Sequence, residues 1–93
     1  MIQSFACKQT ERLWNRERPK QFPPSIHRPA LRKLGILHAA VEINDLRVPP
    51  GNRLEALKGN RKGQHSIRIN DQWRLCFVWR NANAHRIEIV DYH

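Results

Sequence analysis

The chain has 93 residues, with 17 Lys and Arg against 8 Asp and Glu, a formal net charge of +9 and a pI near 10.8. That length fits one small domain, 1–93, with a modest core and no need of covalent staples. It excludes a membrane-spanning helix, because no apolar run is long enough, and the spacing of His, Cys and Gly offers neither a zinc site nor a glycine-rich nucleotide loop.

Arginine makes up 12 of the 17 cations, and its fork suits bidentate contacts to phosphate. Nucleic acid is therefore the leading partner class, with an acidic protein or an anionic membrane surface as the competitor. A basic charge kept for solubility alone is the bland alternative. Cys7 and Cys76 read as small buried hydrophobes rather than a disulfide framework. No secretory signal is visible, so a reducing cytoplasm is the expected location and no membrane partner is expected. No cofactor or metal is called for.

Residues 1–7 read as a first strand with weak alternation, since Ile2 and Cys7 differ in parity. Residues 10–17 read as a short helix, broken by Pro19 and then by Phe22, Pro23, Pro24 and Ser25. A second helix lies between Ser25 and Val41. Leu31, Leu34, Leu37 and Val41 recur at helical spacing and are expected to cover a sheet. Pro29 is expected in its first turn, or at its start. Arg28, Arg32 and Lys33 form a solvated flank, with a ribosomal or antitoxin surface as the functional alternative. Residues 39–46 are a short helix or turn, and residues 47–52 a rigid connector. Residues 53–58 read as a strand and residues 59–64 as a polar loop.

The stretch from His65 to Trp79 organises the rest. It reads as two strands around a turn at Asn70, Asp71 and Gln72. A three-residue loop sets Ile69 opposite Trp73 and Ile67 opposite Leu75, giving one apolar face; a two-residue loop mixes the faces. The favoured register also sets Arg68 opposite Arg74, and like charges across a ladder repel. An anion between them would resolve the conflict. Residues 86–92 alternate as a last strand, after a loop at 81–85. Pairing Trp79 with Ile87 and Phe77 with Ile89 puts Tyr92 opposite Arg74, so that Arg68, Arg74 and Tyr92 form a row with His93 beyond. A bulge would disturb that row. The expected class is α+β: a mostly antiparallel sheet with N-terminal helices packed on one face.

Three stretches supply chemistry: 53–58, the loop at Arg61 and Lys62, and the end Asp91-Tyr92-His93. Metal-free RNA cleavage needs a base for the 2′-hydroxyl, an acid for the leaving 5′-oxygen and cations around the phosphate. Arg68, Arg74 and Lys58 are candidates for the cations; Glu55, Tyr92 and His93 for acid and base. His93 has the unperturbed pKa nearest neutrality. Tyr92 is also placed to stack on a base. The bland readings are a frayed terminal His93, a packed Tyr92 and core roles for Trp14, Trp73 and Trp79. His27, His38, His65 and His85 have no partner spacing that points to a site.

Gly51-Asn52-Arg53-Leu54-Glu55-Ala56-Leu57-Lys58-Gly59, His65 through Phe77 with its Asn70-Asp71-Gln72-Trp73-Arg74, and the ending Asp91-Tyr92-His93 closely resemble the HigB toxins of the RelE/ParE superfamily, also called plasmid maintenance system killer proteins. The likeness covers nearly the whole chain. It implies a RelE-like microbial RNase fold and a ribosome-dependent mRNA endonuclease, an mRNA interferase that inhibits translation in the A site of the 70S ribosome. It also implies a HigA-type helix-turn-helix antitoxin, through which alone the toxin meets operator DNA. Matched by position, Lys58, Arg74, Asp91, Tyr92 and His93 fall on family residues tied to activity. Arg53, Arg61, Lys62 and Arg68 are the expected RNA and ribosome contacts. Some members carry a His in a His-Pro-Leu-Lys-Gly stretch, where this chain has Glu55-Ala56-Leu57-Lys58-Gly59. The general base is therefore open among Glu55, Lys58 and His93. Two rival functions are a ParE-like, non-nucleolytic inhibitor of DNA gyrase and a weakened toxin acting as an antitoxin-binding co-repressor.

Overall fold

The computed structural model describes residues 1–92. Two helices, α1 (Lys8–Trp14) and α2 (Pro24–Ala39), precede a four-stranded antiparallel sheet in the order β1 (Glu55–Ala56), β2 (His65–Arg68), β3 (Trp73–Arg80) and β4 (Asn83–Asp91). Short 3₁₀ turns at Ile43–Arg47, Pro50–Asn52 and Gly59–Arg61 fill the connections. This is the α+β arrangement that the patterning implied, with both helices on one face of the sheet.

The buried face follows from strand parity. Ile67, Leu75, Phe77 and Ile87 are fully buried, with Ile69 and Ile89 nearly so. They pack against Leu13, Ile26, Ala30, Leu34 and Leu37 from the helices. The α2 stripe therefore starts earlier than leucine spacing suggested. Val41 lies beyond the end of α2 and is 69% exposed, and Leu31 is half-buried. Pro29 sits inside α2, five residues after its first residue Pro24, rather than in the opening turn. A proline here forfeits the one backbone bond that would reach Ser25, close to an end where donors are unpaired anyway. In the 47–52 connector, Asn52 is fully buried. Its Nδ2 donates to the carbonyls of Leu46 and Val48 at 3.1 and 3.2 Å, and its Oδ1 accepts from Lys33. Burial, and then Arg32 and Arg68, lower the Lys33 pKa.

The central hairpin has the expected register, with Ile67 opposite Leu75 and Arg68 opposite Arg74. Asn70 Oδ1 accepts from the backbone of Gln72 and Trp73 at 2.9 and 2.8 Å, which closes the turn. The last pairing differs. Leu75, rather than Phe77, faces Ile89; Trp79 faces Ala84 rather than Ile87; and Val90, rather than Tyr92, stands opposite Arg74. The cause is a tight turn in place of the expected five-residue loop. Asn81 and Ala82 both take left-handed backbone, φ 53° and 62°, as a two-residue primed hairpin turn requires. Arg86, φ 52°, then forms a bulge with Ile87 against Phe77. Turn and bulge together displace the pairing by an even number of residues. Every side chain therefore keeps its expected face, and Tyr92 stays on the side of Arg74.

Residues 1–7 form no regular strand. They run parallel to β4 and bridge it at Ile2–Ala84 and Phe5–Ile87. Four backbone bonds join them, together with Ser4 Oγ accepting from Arg86 N at 2.9 Å. Thr10 Oγ1, from α1, accepts from Ile89 N at 3.0 Å. The β4 edge is thus covered, which removes a site of uncontrolled strand addition.

Candidate active site on the open face of the sheet

Residues of the parity opposite to the core emerge on the face away from the helices. Ser66, Arg68, Arg74, Cys76, Glu88, Val90 and Tyr92 belong to it, and Glu55 joins across β1 opposite Ser66. Arg74 is the anchored member. Its Nε donates to Ser66 Oγ at 2.8 Å and its Nη2 to the carbonyl of Arg53 at 2.7 Å. The guanidinium carbon lies 5.6 Å from the centre of the Tyr92 ring, and Glu55 Oε1 is 3.9 Å from Nη2. With 13% of its side chain exposed, Arg74 is held in one orientation before any ligand arrives. Arg53 itself has left-handed backbone, φ 46°, which turns its carbonyl to this use. Its side chain is exposed.

The repulsion expected between Arg68 and Arg74 is resolved by the protein's own groups. Arg68 turns to Asp71 in the hairpin turn, while Arg74 turns the other way to Ser66, Arg53 and Glu55. No anion between the two guanidinia is required. Arg61 repeats the pattern: its Nη1 donates to Glu88 Oε1 at 2.7 Å and to Gln64 Oε1 at 3.1 Å. The bond to Glu88 raises the Arg61 pKa further. Cys76, beneath these groups, is fully buried, and burial pushes its thiol pKa up.

The remaining candidates surround this core. Lys58 caps the Gly59–Arg61 turn and Lys62 follows it; both are exposed. Asp91 ends β4, where its Oδ2 accepts from Gln72 Nε2 at 3.1 Å. Tyr92 is 39% exposed and is tied through its backbone N–H to the Gln72 carbonyl. His93 lies outside the described residues. Arg74, Tyr92, Glu55 and the Arg53 backbone therefore stand together, while Lys58 and Lys62 sit on the adjoining loop. Sequence reasoning overlooked Ser66, although its parity, shared with Arg68, was the signal available. It also overlooked Glu88 and Gln64, which fix Arg61. Among the described residues, no group of three or more His, Cys, Asp or Glu is arranged to hold a metal ion.

A family model described as the RelE-like toxin of the type II toxin-antitoxin system HigB matches residues 3–93. The chain belongs to the HigB-like toxins. It is 48% identical over 85 residues to Toxin HigB-1 of Vibrio cholerae serotype O1, spanning 90% of each chain. Endoribonuclease HigB of Proteus vulgaris is 31% identical over 97 residues, covering both chains fully. Among solved structures, the YoeB-YefM toxin-antitoxin complex of Staphylococcus aureus superposes with a TM-score of 0.61 at 22% identity, over all of this chain and 95% of that one. That likeness extends the family relation to the fold. In this HigB-like toxin, no helix among the described residues is long and apolar enough to cross a membrane.

Proposed function

We propose that this HigB-like toxin is a metal-independent endoribonuclease that cuts messenger RNA on the ribosome. The supporting observation is the anchored Arg74 guanidinium, set against the exposed Tyr92 ring and within 3.9 Å of the Glu55 carboxylate. In the reaction, a base takes the ribose 2′-proton and the 2′-oxygen bonds to phosphorus. The bond to the 5′-oxygen breaks, and an acid protonates that oxygen. Arg74 stabilises the extra charge on the phosphate, and because it is already oriented it does so without reorganisation. Tyr92 stacks on a base beside the cut step, as aromatic side chains do on single-stranded RNA. Glu55, Lys58 and His93 share the proton transfers, and Asp91, next to Tyr92 and paired with Trp73, completes the set of candidate residues. Arg53, Arg61, Lys62 and Arg68 hold flanking phosphates of the message or ribosome. The carboxylates now paired with Arg61, Arg68 and Arg74 make a bare strand a weak competitor, so an ordered substrate on the ribosome is favoured.

A HigA-type helix-turn-helix antitoxin is the proposed neutralising partner, and operator DNA is met through it. The YoeB-YefM likeness, itself a toxin-antitoxin complex, supports a partner of that kind. The cytoplasm is the proposed compartment. Arg74→Ala is expected to abolish growth arrest at matched expression while leaving the far-UV circular dichroism unchanged. Primer extension on cellular messages should show cuts within translated codons for the wild-type toxin and none for the variant. DNA damage without cuts would overturn the nuclease assignment.

A further inference from the structure

A second group of uncompensated positive charges lies on the helix side of the sheet. From Arg18 to Val41 the sequence holds five Lys and Arg and no Asp or Glu. Arg61, Arg68 and Arg74 each have a carboxylate partner, whereas Arg18, Lys20 and Arg28, like Arg53, Lys58 and Lys62 at the candidate site, form no ion pair among the described residues. They surround two adjoining cavities of about 280 and 350 Å³ where the α1–α2 connection meets the first turns of α2. Pro19, Phe22, Pro24 and Leu31 supply the apolar part of the lining.

The helix end beside these cations also suits an anionic occupant. The first turn of α2 carries no acidic residue, although a helix N-terminus favours negative charge. Cations at that end raise the local potential further. His27 also lines both cavities, but its Nε2 donates to the Phe22 carbonyl at 3.0 Å and its buried Nδ1 is left as an acceptor, so the ring adds apolar surface and no donor to the groove. The groove lies on the helix side of the sheet, near the sheet end where Tyr92 emerges on the other face. The Phe22 ring stands edge-on to Trp73 at 5.8 Å, and Trp73 pairs with Asp91, the neighbour of Tyr92.

We propose that this groove, with Arg18, Lys20 and Arg28 around it, holds the phosphodiester backbone of the message strand outside the cleaved step. The proposal rests on the nuclease function above and extends its RNA track around the end of the sheet. Each cavity is near the lower limit for small-ligand sites, which is room for a nucleotide unit. Two of the three cations are arginines, which grip phosphate bidentately.

The test is fluorescence anisotropy of the full chain with two RNAs, a trinucleotide and a dodecanucleotide, each with a 2′-deoxy position to block cutting. Wild type should bind the dodecanucleotide more tightly. Arg18→Ala/Arg28→Ala should lower that affinity about tenfold and leave the trinucleotide unaffected. It should also reduce the salt slope by about 1.4, for two single-strand phosphate contacts at about 0.7 each. A double variant indistinguishable from wild type overturns the proposal, and so does a wild type with no preference for length. A variant that keeps RNA affinity but no longer binds purified antitoxin reassigns the groove to a protein and overturns it as well. Vacant ribosomes losing the variant as strongly as message-programmed ones would assign the groove to ribosomal RNA, against the proposal. Arg74→Ala separates the two levels: loss of cutting with the length preference retained tests the nuclease alone.

Discussion

Ser66→Ala isolates the positioning of Arg74 from its charge. The substitution removes the hydroxyl that accepts from Nε at 2.8 Å and keeps the bond from Nη2 to the Arg53 carbonyl at 2.7 Å. A hydrogen bond to a charged group contributes about 1.5–3 kcal/mol, and with Nη2 still fixed the lower end applies. Each 1.4 kcal/mol is about tenfold in rate, so kcat for message cleavage on programmed ribosomes should fall roughly tenfold with KM little changed. Ser66→Thr keeps the hydroxyl and suits a strand, and it should restore most of the rate. Thermal melting separates this effect from misfolding at a fully buried position. A folded Ser66→Ala toxin that cuts within twofold of wild type would refute the view that Arg74 works because it is held in advance.

Three further outcomes follow from packing and titration. Phe77 is fully buried at the centre of the helix-facing layer, so Phe77→Ala should cost about 3–5 kcal/mol in urea unfolding. Asp45 accepts from the backbone of Glu42 and Val41 at 2.9 Å, and these bonds, Glu42's first, lower its pKa. Its contribution is therefore present above the ordinary carboxylate pKa and is lost as pH falls through the lower folded value. Melting of wild type and Asp45→Asn should differ at neutral pH and converge in acid. Burial raises the Cys76 thiol pKa, so iodoacetamide at mildly alkaline pH should modify the half-buried Cys7 first, as peptide mass mapping would show.

The legible parts of this chain were those where two local signals agreed. The β2–β3 register could be read because Asn70-Asp71-Gln72 has turn chemistry and because slipping by one residue would bury Arg68 or Arg74. The open face could be read for the same reason, since parity and the apolar run on the opposite face together assigned Arg74 and Tyr92 to one side. The β3–β4 pairing could not. Ala82 gives no sign of left-handed backbone, and Arg86 gives no sign of a bulge. Their combined offset happens to be even, so the partners were misassigned while the faces were not. Pro29 pushed the expected start of α2 too late, because the loss of one bond near a helix end is outweighed by burying Ile26 beside Ala30 and Leu34. Ser66 was overlooked because a small polar residue in a strand resembles any other until its arginine is seen.

The bulge at Arg86 has a counterpart at the start of the chain. Ala84 and Ile87 are three residues apart, and so are Ile2 and Phe5, which meet them. The stagger is shared by two segments far apart in sequence, and it explains why residues 1–7 do not alternate cleanly. Excising Arg86 would leave every downstream β3 partner in place but would throw the amino-terminal segment out of step by one position. Related chains that shorten one segment here should shorten the other too, so that length changes occur as matched pairs.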